Sequence, residues 1–349
     1  MVYFAAVRHT LDARPSRRFC FGLLLAFVVS FGGLLFATNY LIDPYVENNL
    51  WTTSLNRRKF RHTEGSVRLL FEKLDGDVRY ILVFGTSQIR LASPDILGAP
   101  TLNFDALFNS YRRKRDPRAI LYFLRQLNPR QAANIAKIYF QLDPAIFVED
   151  RGAYQPLDFR SRRFFLRLSL QNFNIDKVLD AVKTVVKNLT GTFDQYVDAD
   201  GFKVELDERR SDSDETHGHW GGGRFSRDSV DVLKEIDRFA KEGSIPAIYF
   251  ELPRAGSVLA QMDFAATAEL RRAIIGSIDH FYDLVYLDGV SDDHSCFYDE
   301  HLNTAATRKI FREILIPQDA RYRVDAGNLA RHLTFLEGRF AEARKTHGL

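Results

Sequence analysis

Two short segments carry residue types suited to acyl-transfer chemistry. The first is Gly85-Thr86-Ser87, which follows Arg79-Tyr-Ile-Leu-Val-Phe84, a β-branched and aromatic run with the look of a buried strand. A glycine there allows a sharp turn, and a serine just past it projects its hydroxyl from the strand end. If a helix opens at that point, its N–H groups and the positive end of its dipole face a developing oxyanion. The second segment is Phe297-Tyr-Asp299-Glu-His301-Leu-Asn303, directly before a helical pattern. A serine hydroxyl becomes a good nucleophile only when a base takes its proton, and an imidazole oriented by a carboxylate is the usual base. Ser87, His301 and Asp299 therefore form a candidate triad. Each segment also has a plainer reading: Ser87 as the cap of a turn, and Asp299 or Asn303 as the cap of the last helix with His301 at the surface.

Other polar groups carry weaker signals. Arg90, three residues past Ser87, is placed either to steady an anionic substrate or to pair with a neighbouring acid. Asp292, Asp293 and His294 form an acidic patch beside the triad that offers an alternative base but reads more readily as a solvated loop. His217 and His219, near Asp212, Asp214 and Glu215, have the composition of metal ligands but no fixed scaffold, so no metal is assigned. Arg160, Arg162, Arg163 and Arg167 alternate with Phe159, Phe164, Phe165 and Leu166. This pattern fits a surface for anionic lipid or acidic glycan, and more often a core-packed helix with a solvated basic face.

The elements that must position these groups alternate regularly. Apolar runs at 79–84, 101–104, 137–142, 246–252 and 284–287 read as strands. Between them lie helical patterns. Ser226 caps one with Val232, Leu233, Ile236, Phe239 and Ala240 on a single face, and Gly243 stops it; 264–278 repeats the pattern. A short amphipathic helix falls at 66–74, and a charged, partly amphipathic one at 326–346. This rhythm predicts a three-layer α/β/α doubly wound parallel sheet with its ligand site at the carboxyl ends of the strands. The segment from about 151 to 223 breaks the rhythm and reads as an insertion or lid. It holds a helix capped by Asn174, with Ile175, Val178, Leu179, Val182, Val186 and Leu189 on one face, then a polar Gly-rich loop.

Composition narrows the function classes. With 46% hydrophobic and 27% charged residues the chain buries a substantial core, and 48 basic against 45 acidic residues give a net charge of +3, without the one-sided field of a nucleic-acid binder. Cys20 and Cys296 sit in no metal or redox spacing. The run 19–42 carries no charged side chain and as a helix would extend about 36 Å, enough to span a bilayer. It is longer than a signal-peptide core and lacks a good cleavage site, so an uncleaved anchor is expected. Arg8, Arg14, Arg17 and Arg18 precede it and Asp43 and Glu47 follow, which places the N-terminus in the cytoplasm; Arg57, Arg58, Lys59 and Arg61 on the far side pull weakly the other way. The chain thus divides into a cytoplasmic N-terminus (1–18), an anchor (19–42), a connector (43–76), an α/β body (77–316) and a helical tail (317–349).

Taken in order, Asp43-Pro44-Tyr45 after the anchor, Gly85-Thr86-Ser87, Leu102-Asn103-Phe104, Gln141-Leu142-Asp143 with Phe147, and Asp299 with His301 resemble the SGNH (GDSL-like) hydrolase superfamily. Within it, the chain resembles the membrane-anchored branch found beside polysaccharide O-acetyltransferases and the D-alanyl transfer protein of teichoic acid. The resemblance spans about residues 40 to 315 and lies in order and spacing, since each motif is short. It implies Ser87 as nucleophile, His301 as base, Asp299 as its partner, and an oxyanion site at the Ser87 N–H and Asn103, with Gln141, Asp143 and Arg90 near the substrate. It further implies an inner-membrane protein with a periplasmic domain that acts on an acyl ester, acetyl first, of a cell-envelope polysaccharide, beside a membrane acyl-donor protein and without a cofactor. Three departures stand out: Thr86 replaces the aspartate of the first block, Gln141-Leu-Asp143 replaces the third-block G-x-N, and Asp299-Glu-His301 is one residue shorter than D-x-x-H. A non-catalytic envelope assembly or glycan-binding protein on the same fold is the alternative.

Overall fold

The computed structural model describes residues 17–45, 47–48, 53–59, 64–104, 116–147, 158–192, 195–197, 202–205, 225–298 and 301–349. Helix α1 (Arg17–Ile42) contains the charge-free run and is long and apolar enough to cross a membrane. Helix α2 (Glu64–Lys73) leads into the body.

A six-stranded sheet forms the centre. Its strands are β1 (Tyr80–Phe84), β2 (Thr101–Asn103), β3 (Ile135–Gln141), β6 (Ala247–Glu251), β7 (His280–Asp283) and β10 (Arg323–Asp325). The two hairpins β4 (Gln195–Val197) with β5 (Lys203–Glu205) and β8 (Phe297–Tyr298) with β9 (His301–Leu302) lie outside it. The spatial order is β2-β1-β3-β6-β7-β10, parallel throughout except for β10, which runs antiparallel to β7 at the edge. The fold is thus mixed α/β around a mostly parallel sheet.

Alternation along each strand sends successive side chains to opposite faces, and both faces are covered. Leu82, Phe84, Ile138 and Phe140 join a core with α2, α4 (Arg118–Arg125), α8 (Arg227–Glu242) and α10 (Phe264–Ile275). Its centre is aromatic, with the Phe104 and Phe123 rings 4.6 Å apart. Ile81, Val83, Tyr139 and Phe250 meet α11 (Thr304–Ile310) and its π-helical continuation Phe311–Leu315 on the other face. Each fully buried side chain of this size contributes roughly 1.5–3 kcal/mol. Ser226 caps α8 through its side chain, whereas Gly243 ends the helix in a right-handed conformation (φ −79°) and the left-handed residue is Ser244 (φ 51°).

The last expected strand is displaced. It runs over His280–Asp283, not 284–287. The apolar run after it is buried for another reason: Val285 and Tyr286 leave the sheet to meet α9 (Gly256–Gln261) and α12 (Leu329–His347) in a third cluster. Strand β10 was invisible in the sequence because it is a short edge with one buried residue, Val324.

Candidate active site

Because β1 connects to a neighbour on one side and β2 then crosses to β3 on the other, the chain reverses its winding direction between β1 and β3. A crevice forms at the carboxyl ends of strands at such a point. The segment after β1 sits there. Ser87 opens a short 3-10 turn, Ser87–Ile89, with Thr86 extended before it (φ −84°, ψ −171°).

The neighbouring strand β3 holds that turn in place. The Thr86 N–H donates to Gln141 Oε1 at 3.0 Å, and the Thr86 hydroxyl donates to Asp143 Oδ2 at 2.7 Å. Gln141 Nε2 donates onward to Gln88 Oε1 at 2.9 Å. Gly85 makes this closeness possible, since a Cβ at that position would fall 2.6 Å from Gln141 Oε1 and 2.8 Å from Gln141 Cβ. From β2, Asn103 donates through Nδ2 to the Ile89 carbonyl at 3.2 Å and closes the turn from the other side. Gln141, Asp143 and Asn103 are all fully buried beneath the turn, whereas Ser87 and Arg90 are half-buried at its surface.

The histidine arrives from the far end of the chain. His301 pairs with Tyr298 in the β8–β9 hairpin, and the next residue, Leu302, is buried in the core. Asn303 then fixes the hairpin to the helix: its Oδ1 accepts from the Ala306 N–H at 2.8 Å as the α11 cap, and its Nδ2 donates to the Ser295 carbonyl at 2.6 Å. Thus the capping role belongs to Asn303, and His301 is left half-buried facing the turn. Its Nε2 lies 2.8 Å from Ser87 Oγ, joining residues 214 positions apart. With the proton on Nδ1, the serine hydroxyl donates to Nε2, which is the geometry that proton removal needs. Asp299 lies outside the described residues, as do His217, His219, Asp212, Asp214 and Glu215. Among the described residues no cluster of three metal-ligating side chains occurs. Of the acidic loop, Asp292 accepts from the Tyr286 hydroxyl at 2.7 Å and Asp293 caps the turn His294–Cys296.

A buried ionic layer lies under the rim, marked in the sequence only by charged residues that end apolar strands. Asp143 faces Arg254 at 3.3 Å, and both are almost wholly buried. Arg271 bridges Glu251 and Asp283, with Nη2 2.7 Å from Glu251 Oε2 and Nη2 2.9 Å from Asp283 Oδ1, and His332 Nε2 meets Asp283 Oδ2 at 2.8 Å. Burial pushes the Glu251 carboxyl up to about 7, against the opposing pull of Arg271 and Arg254. Burial also opposes ionisation of Asp283, but Arg271 and His332 outweigh it and hold that group below the usual carboxylate range.

This arrangement can deprotonate a serine hydroxyl at an accessible rim. No protein-family model, curated protein or solved structure matches the chain.

Proposed function

We propose that this protein is a membrane-anchored, SGNH-like serine esterase or O-acyltransferase that acts on an acyl ester, acetyl first, of a cell-envelope polysaccharide. The observation that carries the reading is the 2.8 Å contact between Ser87 Oγ and His301 Nε2 at the carboxyl edge of a parallel sheet.

In the proposed cycle, Ser87 Oγ attacks the ester carbonyl carbon while His301 Nε2 takes the hydroxyl proton. The carbonyl oxygen becomes an oxyanion, supported by the Ser87 N–H, whereas Asn103, expected from the sequence as a second donor, is buried with its Nδ2 on the Ile89 carbonyl and holds the turn instead. Collapse breaks the ester C–O bond, and His301 returns its proton to the departing sugar oxygen. A second hydroxyl, from a sugar or from water, then attacks the acyl-serine as His301 again accepts a proton, and Ser87 is regenerated. Asp299 is assigned the partner role on the resemblance.

Asp143 is compatible with this cycle although a carboxylate beside an oxyanion would repel it. Its oxygens are occupied by Thr86, Arg254 and the Ala145 N–H, so its charge is compensated beneath the turn. Helix α1 supplies the proposed membrane anchor, with residues 43–349 on the periplasmic side.

The test is active-site labelling of the detergent-solubilised full chain with a fluorophosphonate, which reacts only with an activated serine. Labelling that disappears in Ser87→Ala, together with deacetylation of an acetylated polysaccharide by the unmodified protein, is the expected result. A folded protein that neither labels nor turns over ester would leave a binding or assembly role on the same fold.

A further inference from the structure

Helix α7 (Ile175–Thr190) is amphipathic in the reverse sense for a surface helix. The face turned toward the rest of this chain is polar or small. Lys177 is buried and paired with Glu47 while its Nζ donates to Asn172 Oδ1 at 2.8 Å; Ala181 and Thr184 are buried beside it, and Asn188 donates to the Arg58 carbonyl at 2.9 Å. The face turned outward carries Ile175, Leu179, Val182, Val186 and Leu189, each more than half exposed. A soluble helix buries such a stripe and wets its charges.

Where this helix begins indicates what covers it. The preceding helix α6 (Arg162–Gln171) and α7 meet at a corner, and the corner packs on α1. The Phe173 ring lies 5.2 Å from the Phe36 ring, and a methyl group on Gly32 would sit 3.7 Å from it. Gly32 and Phe36 lie about 15 and 9 Å of helix rise before Ile42, well inside the charge-free run. Asn39, wholly buried, donates through Nδ2 to the carbonyls of Asn172 at 2.8 Å and Asn174 at 3.0 Å, which satisfies the backbone of the corner without water. Around it Leu166, Leu170 and Phe173 are exposed, and α6 carries Arg162 and Arg163 exposed and no acidic residue.

We infer that the α6–α7 corner, with the outward stripe of α7, is a second membrane contact of this protein: it enters the interface of the same bilayer that holds α1, with the arginines of α6 at anionic headgroups. The inference rests on the anchor reading of α1 given above. It does not depend on the serine chemistry. Lipid is the occupant favoured because the corner is continuous with the exposed apolar surface of α1 and sits at a depth that the anchor itself fixes. One consequence is that the body is held in a set orientation and does not swing on a single helix.

The test uses the full chain in a Cys20→Ser, Cys296→Ser background, in vesicles of phosphatidylcholine and phosphatidylglycerol whose acyl chains are partly brominated. A bimane probe is placed at Val28→Cys, Leu170→Cys or Leu179→Cys, all exposed positions. The expected result is loss of emission at 170 and 179 approaching that at 28, with smaller losses when phosphatidylglycerol is omitted. Quenching at 28 with unchanged emission at 170 and 179 overturns the second contact and leaves the anchor intact. No quenching at 28 overturns the anchor reading itself. Disulfide capture of Leu179→Cys by a second copy, without quenching at 179, assigns the stripe to a helix–helix seam and also overturns the proposal.

Discussion

Gln141, the last residue of β3, accepts the Thr86 N–H through Oε1 at 3.0 Å and thereby sets the turn that presents Ser87. The relationship is backbone to side chain across the point where the winding of the sheet reverses, so the position of the Ser87 hydroxyl depends on Gln141 through Thr86.

On the proposed esterase reading, Gln141→Ala should therefore lower ester turnover while His301 stays in place. The Thr86 N–H would be left buried without its acceptor, at a cost of about 1–3 kcal/mol. A fall in kcat larger than the fall in denaturation midpoint implies is the expected pattern, read from steady-state kinetics beside urea unfolding.

Gly85→Ala should act on the same contact from the opposite side. Its Cβ would lie 2.6 Å from Gln141 Oε1, so Gln141 must move. Overpacking of this kind costs about 1–3 kcal/mol. Combined with Gln141→Ala, which removes the Oε1 contact but keeps the Cβ 2.8 Å away, the stability loss should be smaller than the two single losses added, because the Thr86 N–H loses the same acceptor in both variants, and a double-mutant cycle in urea measures it.

His301→Gln should abolish fluorophosphonate labelling and lower turnover by about 10²–10⁴-fold, the range for loss of a general base. Thermal unfolding should change little, because Leu302 and Asn303 anchor the hairpin independently of the imidazole. Labelling that survives in this variant would remove His301 from the role of base.

Arg271→Leu should be severely destabilising, by roughly 3–5 kcal/mol, because it strands Glu251 and Asp283 in the interior without their shared cation. Equilibrium unfolding in urea checks it.

Glu251 also makes stability depend on pH. Its carboxyl is held up at about 7 from an ordinary 4.5 by burial, so the folded chain binds that proton more tightly than the unfolded chain does. Its contribution is complete below the unfolded value and is lost as pH rises through about 7. Asp283 shifts the opposite way, and its contribution fades only in acid. Glu251→Gln should flatten the decline in urea midpoint between about pH 5 and about pH 8 relative to the unmodified protein.

The residue types of Ser87 and His301, the length of the charge-free run, and the alternation of strands with helices were legible in the sequence because each is a local property of composition or period. Their boundaries were less so: the run 284–287 has the composition of a buried strand but is buried against helices α9 and α12. Likewise, the period of α7 marks its apolar stripe without saying which way the stripe points. Its direction follows from Lys177, Glu47 and Asn39, which come together only when distant segments meet. The same holds at the rim. The serine and the imidazole, 214 positions apart, reach hydrogen-bonding distance because the sheet's strand order brings β1 beside β3 and a hairpin with a buried leucine returns the histidine to that edge. Local sequence sets which groups exist and which backbone they prefer; only packing among segments far apart in the chain sets their separation.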